Sequence, residues 1–459
     1  MHSPVPRRSF LQTSALASLA LHELLSPTGA APRSRSRLEA KAPKAKNVLF
    51  IHLVGAPSQL DLYDYKPALQ KYDRKLAPKE FFEGKRFAFL TGHPKLLGTR
   101  YQFQQHGQSG AQLSELLPHL GSVADDLTFV RSMHTTEFNH APAQLFFHTG
   151  RNRQGQPSLG SWIDYGLGSL NQNLPSYVVF VSGGLPGAGA NLWGNGFLPS
   201  EHQGTEFRSS GEPVLFLNSP QGVDSARRRR VLDGISQMNS LHHAESHDPD
   251  VLARIKQYEM AFRMQSSVPE VMDLSKEPAS VRGAYGTGDF ALQCLHARRL
   301  LEAGVRFVEI FHRDWDTHGG MHRALGRLCK AVDQPIAALL RDLKTRGLLS
   351  ETLVVCAGEF GRTPMLQGNE SPDACGRDHH KDAFTVWMAG GGTHPGLQYG
   401  ATDDLGYHVA ENPVHVRDLH ATLLHLLGIE HQKLTFRYQG LDQRLTGVEE
   451  TRVIHELLA

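Results

Sequence analysis

Arg306-Phe307-Val308-Glu309-Ile310-Phe311 runs directly into His312-Arg313-Asp314-Trp315-Asp316-Thr317-His318-Gly319-Gly320. The first six residues are nearly continuous in apolar character, as strands buried in parallel sheets are. The next nine are mostly polar. In open parallel sheets, ligands sit beyond the carboxyl ends of the strands. Asp316 and His318 are two apart, so an extended segment points both to one side. A carboxylate beside an imidazole suits zinc or manganese, and two glycines let backbone approach closely. One stretch therefore predicts a parallel α/β fold and places its chemistry at a strand end.

Runs of the same character recur at Asn47–Val54, Leu127–Met133, Tyr177–Val181, Thr352–Ala357 and Phe384–Ala389. Helical spacing lies between some of them. Leu325, Leu328, Val332, Leu339 and Leu343 mark one helix, with Gly347 as its cap. Pro335 within it is expected to kink or split it. Val416, Leu419, Leu423 and Leu427 mark another, closed by Gly428. Strands alternating with helices predict a mostly parallel central sheet flanked by helices. Residues 199–290 break this pattern with the Arg227–Arg230 run, His242-His243 and a polar helical stretch from Asp250 to Gln265. They read as a mainly helical insertion on the rim of the sheet, its arginines a solvated helix face.

The fold is expected over residues 47–459, and two segments precede it. Residues 1–31 have the order of a signal peptide: Arg7-Arg8, an apolar run from Leu11 to Leu25, then small residues. The adjacent arginines before Ser-Phe-Leu have the twin-arginine form, so export to the periplasm or beyond is expected, with the twin-arginine machinery as a partner. Residues 32–46, rich in Pro, Arg, Lys and Ser, read as a linker. The formal net charge of +2 and the lack of a basic, aromatic-laced stripe argue against nucleic acid. Cys294, Cys329, Cys356 and Cys375 form no CxxC pair, which argues against a zinc knuckle. Export would permit a disulfide between two of them.

The 26 histidines gather in a few places, and imidazole is the commonest metal ligand. After the first strand, Gly55-Ala56-Pro57-Ser58-Gln59-Leu60-Asp61 forces a turn and offers oxygens, Asp61 among them. After the second come His134-Thr135-Thr136-Glu137-Phe138-Asn139-His140, polar density that favours function at a strand end. Glu359 opens the first turn after Thr352–Ala357, where a carboxylate is costly unless paired or metal-bound. Arg362 is its candidate partner, or a binder of substrate oxyanions. Gly376-Arg377-Asp378-His379-His380-Lys381-Asp382 joins acids, imidazoles and cations ahead of the last strand. Asp61, Asp316, His318, Glu359, Asp378, His379 and His380 are thus candidate ligands for a divalent metal, zinc or manganese favoured and calcium possible. His312, His322, His394, His408 and His415 could complete the set.

Trp315-Asp316-Thr317-His318-Gly319-Gly320, Gly358-Glu359-Phe360-Gly361-Arg362-Thr363-Pro364 and Gly376-Arg377-Asp378-His379-His380 resemble the family labelled domain of unknown function 1501. The Pro57-Ser58-Gln59-Leu60-Asp61 turn also fits. That family is a sulfatase-like branch of the alkaline phosphatase superfamily, and the resemblance implies that fold. Val416–Leu424 is likewise similar to the late helix of sulfatases. Pro142 and Thr149-Gly150-Arg151 match the sulfatase nucleophile helix, which puts the nucleophile position on His140 and the sulfatase arginine on Gln144. Formylglycine chemistry is therefore not implied. Glu359-Phe360-Gly361 stands where sulfatases carry Asp-His-Gly or Asp-Asn-Gly.

Two functions follow from this reading. One is an exported metal-dependent hydrolase for phosphate or sulfate esters, or a related anionic small-molecule or polysaccharide substrate. Thr135, Thr136 or His140 would stand at the nucleophile position, His140 alternatively a ligand or base. Arg362 and Lys381 would stabilise oxyanion charge. The other is a non-catalytic exported binding protein that keeps the metal and not the nucleophile. A phosphate-transferring mutase shares the superfamily and is less natural outside the cytoplasm.

Overall fold

Asn47–Leu53 (β1) is buried along its whole length and lies in the middle of the sheet. A computed structural model describes residues 43–459 apart from Phe216, Pro220 and Pro372. The expected signal segment and most of the expected linker lie outside the described residues. The main sheet has nine strands. In chain order they are β1, β2 (Leu127–His134), β3 (Tyr177–Ser182), β4 (Thr205–Phe207), β5 (Phe307–His312), β6 (Thr352–Ala357), β7 (Phe384–Ala389), β8 (Gln398–Tyr399) and β9 (Val414–His415). Across the sheet the order is β8-β2-β7-β6-β1-β5-β3-β4, with β9 also on β2. Only β7 runs against the others among the described strands. The fold is therefore α/β with a mostly parallel sheet.

Register decides where the site lies. Leu53 pairs with His312 of β5, and His52 with Ala357 of β6. The carboxyl ends of β1, β5 and β6 are level, so the loops carrying Gly55, Asp316 and Glu359 emerge side by side.

The alternation of β1 divides the core in two. Leu49, Ile51 and Leu53 face a cluster with Leu295 of α5 (Asp289–Glu302) and Leu325, Leu328 and Leu339 of α6 (Met321–Thr345). Val48 and Phe50 face Phe147 of α1 (His140–Thr149), Trp162 of α2 (Leu159–Leu167) and Leu419 and Leu423 of α7 (Val416–Leu426). Each such fully buried side chain contributes roughly 1.5–3 kcal/mol. α6 runs unbroken through Pro335, so of the expected kink or split the split does not occur. The proline removes one backbone bond, but Leu325, Leu328, Val332, Ile336, Leu339 and Leu343 hold a buried face on both sides of it. α7 begins with a reciprocal cap between His415 and Asp418 and is followed by Gly428 at φ 77°.

Residues 199–290 contribute β4 at the sheet edge and two long helices, α3 (Ser225–Ser246) and α4 (Pro249–Met272). Met264 and Val268 of α4 reach the core beside Phe290. Arg229 of the arginine run pairs with Asp233 and Glu259 on the helix surface. Cys294, Cys329 and Cys356 are free buried thiols, and Cys375 is also buried. No helix among the described residues is long and apolar enough to cross a membrane.

Candidate metal centre

Asp316 is the hub of the loop ends. Its Oδ1 lies 3.1 Å from His140 Nε2, 2.9 Å from His318 Nε2 and 3.4 Å from His379 Nε2. One ligand atom from each of these four residues falls within a 4.8 Å group. Three elements deliver them: the loop after β5, the start of α1, and the short strand His379–His380. Two glycines permit the approach. A Cβ on Gly55, which sits at φ 106°, would stand 2.4 Å from the Asp316 nitrogen. A Cβ on Gly376 would stand 2.2 Å from the His318 carbonyl carbon. Asp314 adopts φ 77°, costly for a residue with a Cβ, in the turn that brings Asp316 round.

The imidazoles are oriented from behind. His379 Nδ1 is 2.7 Å from the Phe138 carbonyl, and His140 Nδ1 is 2.7 Å from Glu359 Oε1. Both partners only accept, so both Nδ1 atoms carry hydrogen. In the neutral rings the Nε2 lone pairs then point at a carboxylate oxygen, a repulsive contact unless a cation lies between. His318 is held likewise, its Nδ1 2.6 Å from Gln367 Oε1. Such outer partners fix metal-binding histidines. Three nitrogens and one carboxylate oxygen match a zinc-type donor set. The residues therefore fit a divalent ion. Without one, a proton takes its place: burial works against it, but the bonds to Asp316 and Glu359 raise the His140 pKa to about 9. Burial would raise Asp316, yet the three imidazoles and Arg362 hold it far below the usual carboxylate range.

Glu359 stands one step behind His140. It is fully buried and accepts from the Gly55 amide (3.1 Å), Gln144 Nε2 (2.9 Å) and His140, with His52 Nε2 at 3.3 Å. These imidazoles overcome its burial and hold it well below its ordinary pKa. Arg362 is wholly buried. It donates to Asp316 (2.6 Å), to the Ala56 (2.9 Å) and Arg377 (3.2 Å) carbonyls and to the Gly55 carbonyl. It thus steadies Asp316, and each of its three wholly buried nitrogens bonds the protein's own oxygens.

The other sequence candidates stand apart from the cluster. Asp61 pairs with buried Arg377 at 2.8 Å and accepts from Ser58. Asp378 spends both oxygens on the amides of Phe89, Leu90 and His379. His380 bonds the Tyr407 carbonyl at 2.5 Å. Thr135 is buried, its amide bonded to the Lys381 carbonyl, and Thr136 is exposed beside Glu137. His312 accepts from Trp315, His408 meets Lys85, and His415 caps α7. His322 packs against Tyr101, and His394 is turned to its own loop. His52, His148 and Glu309 are buried polar residues that the loop motifs did not reveal, and Gln144, expected at the sulfatase-arginine position, is buried against Glu359. The signal was present in the strands: His52 and Glu309 interrupt otherwise apolar runs.

A cavity of about 370 Å³ opens at His379. Lys85, Arg86, Lys381, Asp382, Phe138 and Tyr407 line it, three cations against one carboxylate. Lys381 is tied to Asp382 at 2.6 Å, and Lys85 lies over the Tyr407 ring at 4.6 Å. Among the described residues no carboxylate stands within ion-pair distance of Lys85.

No curated protein matches the sequence significantly. Similar solved structures include the alkaline phosphatase from the Antarctic bacterium TAB5, 10% identical over 85% of this chain and 99% of that one, with a TM-score of 0.34. A sulfatase from Pseudoalteromonas sp. is 11% identical over 93% of this chain and 72% of that one, with a TM-score of 0.33. A phosphonate monoester hydrolase from Silicibacter pomeroyi is 14% identical over 90% and 76%, with a TM-score of 0.32. Likeness at that level carries no argument about chemistry. The family described as Protein of unknown function (DUF1501) is matched over residues 45–458, and the chain belongs to it.

Proposed function

We propose that this protein is an exported metal-dependent hydrolase acting on phosphate or sulfate esters, or a related anionic substrate. The observation that carries the reading is the set of three imidazoles and one carboxylate beside a cationic cavity. His140, His318, His379 and Asp316 would hold the ion; three nitrogens favour zinc over calcium, which prefers oxygen. When bound, such an ion supplies Lewis acidity at an ester oxygen and lowers the pKa of water. Arg362 keeps Asp316 in place, and Glu359 keeps the His140 Nε2 turned inward. Lys85, Arg86 and Lys381 would orient the substrate's anionic oxygens by charge. Export rests on Arg7-Arg8 and the apolar run behind them.

Among the described residues, the groups bonded within the cluster include no hydroxyl or thiol, which favours water over Thr135 or Thr136 as nucleophile. The same observation suits the second reading, a binding protein that keeps the metal. Turnover separates the two. Zinc- or manganese-loaded protein is expected to cleave a nitrophenyl phosphate, phosphonate or sulfate, and His379→Ala to lose that activity. Metal-loaded protein that binds these esters without cleaving any of them would leave the binding protein standing.

A further inference from the structure

Behind Glu359, a row of ionisable side chains enters the core on the face that α1 covers. His52 of β1 lies 3.3 Å from Glu359 Oε2. The His148 ring of α1 stands edge-on to His52, with centroids 4.6 Å apart. His148 Nδ1 is 2.9 Å from Glu309 of β5. Tyr177 of β3 donates its hydroxyl to the other Glu309 oxygen. All four are at most 2% exposed. Phe50, Phe147 and Phe311 wall the two imidazoles. Polar groups in such a setting are costly unless paired, and apolar residues of similar size would be cheaper.

Donor and acceptor accounting gives one arrangement with a single charge. Glu359, which accepts from an amide, a carboxamide and His140, is the anion. An attractive contact from His52 needs hydrogen on Nε2, leaving a lone pair on Nδ1. His52 Nδ1, His52 Nε2 and His148 Nε2 are all buried without a hydrogen-bond partner, so His52 meets Glu359 as a close electrostatic contact at 3.3 Å. A hydrogen on His148 Nε2 makes the meeting of the rings favourable. His148 Nδ1 is then a lone pair, which accepts from a neutral Glu309 acid. An ionised Glu309 would reverse this, setting lone pair against lone pair and burying a second negative charge. The titration tendencies agree: burial pushes Glu309 up to about 8 and His148 down to about 3.

We propose that Tyr177, Glu309, His148 and His52 are positioning residues, a proton-ordered relay that steadies Glu359 and, through it, turns His140 Nε2 toward the cluster. The inference rests on the metal-site reading and assigns a role to residues buried deeper in β1, β5 and α1, which carry the site, and in neighbouring β3. Neither Glu309 nor Tyr177 touches the cluster.

Cobalt(II) alone, titrated into the purified full-length protein and followed by its visible spectrum and by chelator competition, tests this. Outer partners of ligating histidines typically change metal affinity about 10–100-fold. Glu309→Leu is expected to weaken cobalt(II) at least about tenfold and to move its visible bands. Its unfolding midpoint should fall, since Tyr177 and His148 are left buried without their partner, so affinity is read where circular dichroism shows the variant folded. Glu309→Gln should stay within about threefold, because its amide can donate to His148 and accept from Tyr177. Tyr177→Phe, a single lost oxygen, covers the case in which Glu309→Leu does not fold, and should weaken binding by about threefold or more. Parent affinity and spectrum in both Glu309→Leu and Tyr177→Phe would overturn the proposal. So would Glu309→Gln as damaging as Glu309→Leu, which would refute the proton order. A parent that binds no cobalt(II) at all would fail the metal-site reading, and the relay with it.

Discussion

Metal affinity at the cluster is expected to climb with pH through the neutral range, because His140 must shed a proton before its Nε2 can serve as a ligand. The His140 pKa stands at about 9, its two carboxylate partners outweighing burial. At pH 7 only about one ring in a hundred is then neutral, which costs about 3 kcal/mol of binding. Observed affinity should rise about tenfold per pH unit from about 6 to 8 and level off above about 9. Zinc competition against a chromophoric chelator at constant ionic strength reads this directly. Glu359→Gln removes one carboxylate charge from His140, so the bend should move to lower pH. Stability of the metal-free protein runs the other way. The folded pKa is raised, so this contribution is full below about 6.5 and is lost as pH rises through about 9, with an upper limit of about 3 kcal/mol. Zinc affinity that is flat from about pH 6 to 8.5, or a bend unmoved by Glu359→Gln, would refute the reasoning.

Two further changes probe the frame of the site. Arg377 is fully buried and donates to Asp61 and to the Leu97 and Thr363 carbonyls. Arg377→Leu leaves Asp61 buried and unpaired, so it should cost about 3–5 kcal/mol in urea unfolding; a loss under about 1 would contradict the pairing. Gly376→Ala drives a methyl group into the His318 backbone. It should weaken zinc by about tenfold or more, and unchanged affinity would show that this approach does not set His318.

The sequence made the sheet legible because its strands are buried on both faces and read as apolar runs. It did not reveal Thr205–Phe207, Gln398–Tyr399 or Val414–His415, two or three residues each and too short for any periodicity to register. Asp316, His318 and His379 stood out as loop polarity at strand ends, and the structure brings those three together. Asp61 and Asp378 stood out for the same reason but are consumed by Arg377 and by backbone amides, distinctions that only tertiary packing makes. His140 was marked as a nucleophile position by resemblance, with a ligand role left open. Its spacing to Gln144 and His148 on one helix face is what connects it to Glu359 and to the buried row beyond.

Elemental analysis of the purified protein beside Asp316→Ala and His379→Ala tests the central claim most directly. The account predicts about one equivalent of zinc or manganese in the parent, lost from both variants. A parent without metal, or metal retained in both variants, would contradict it.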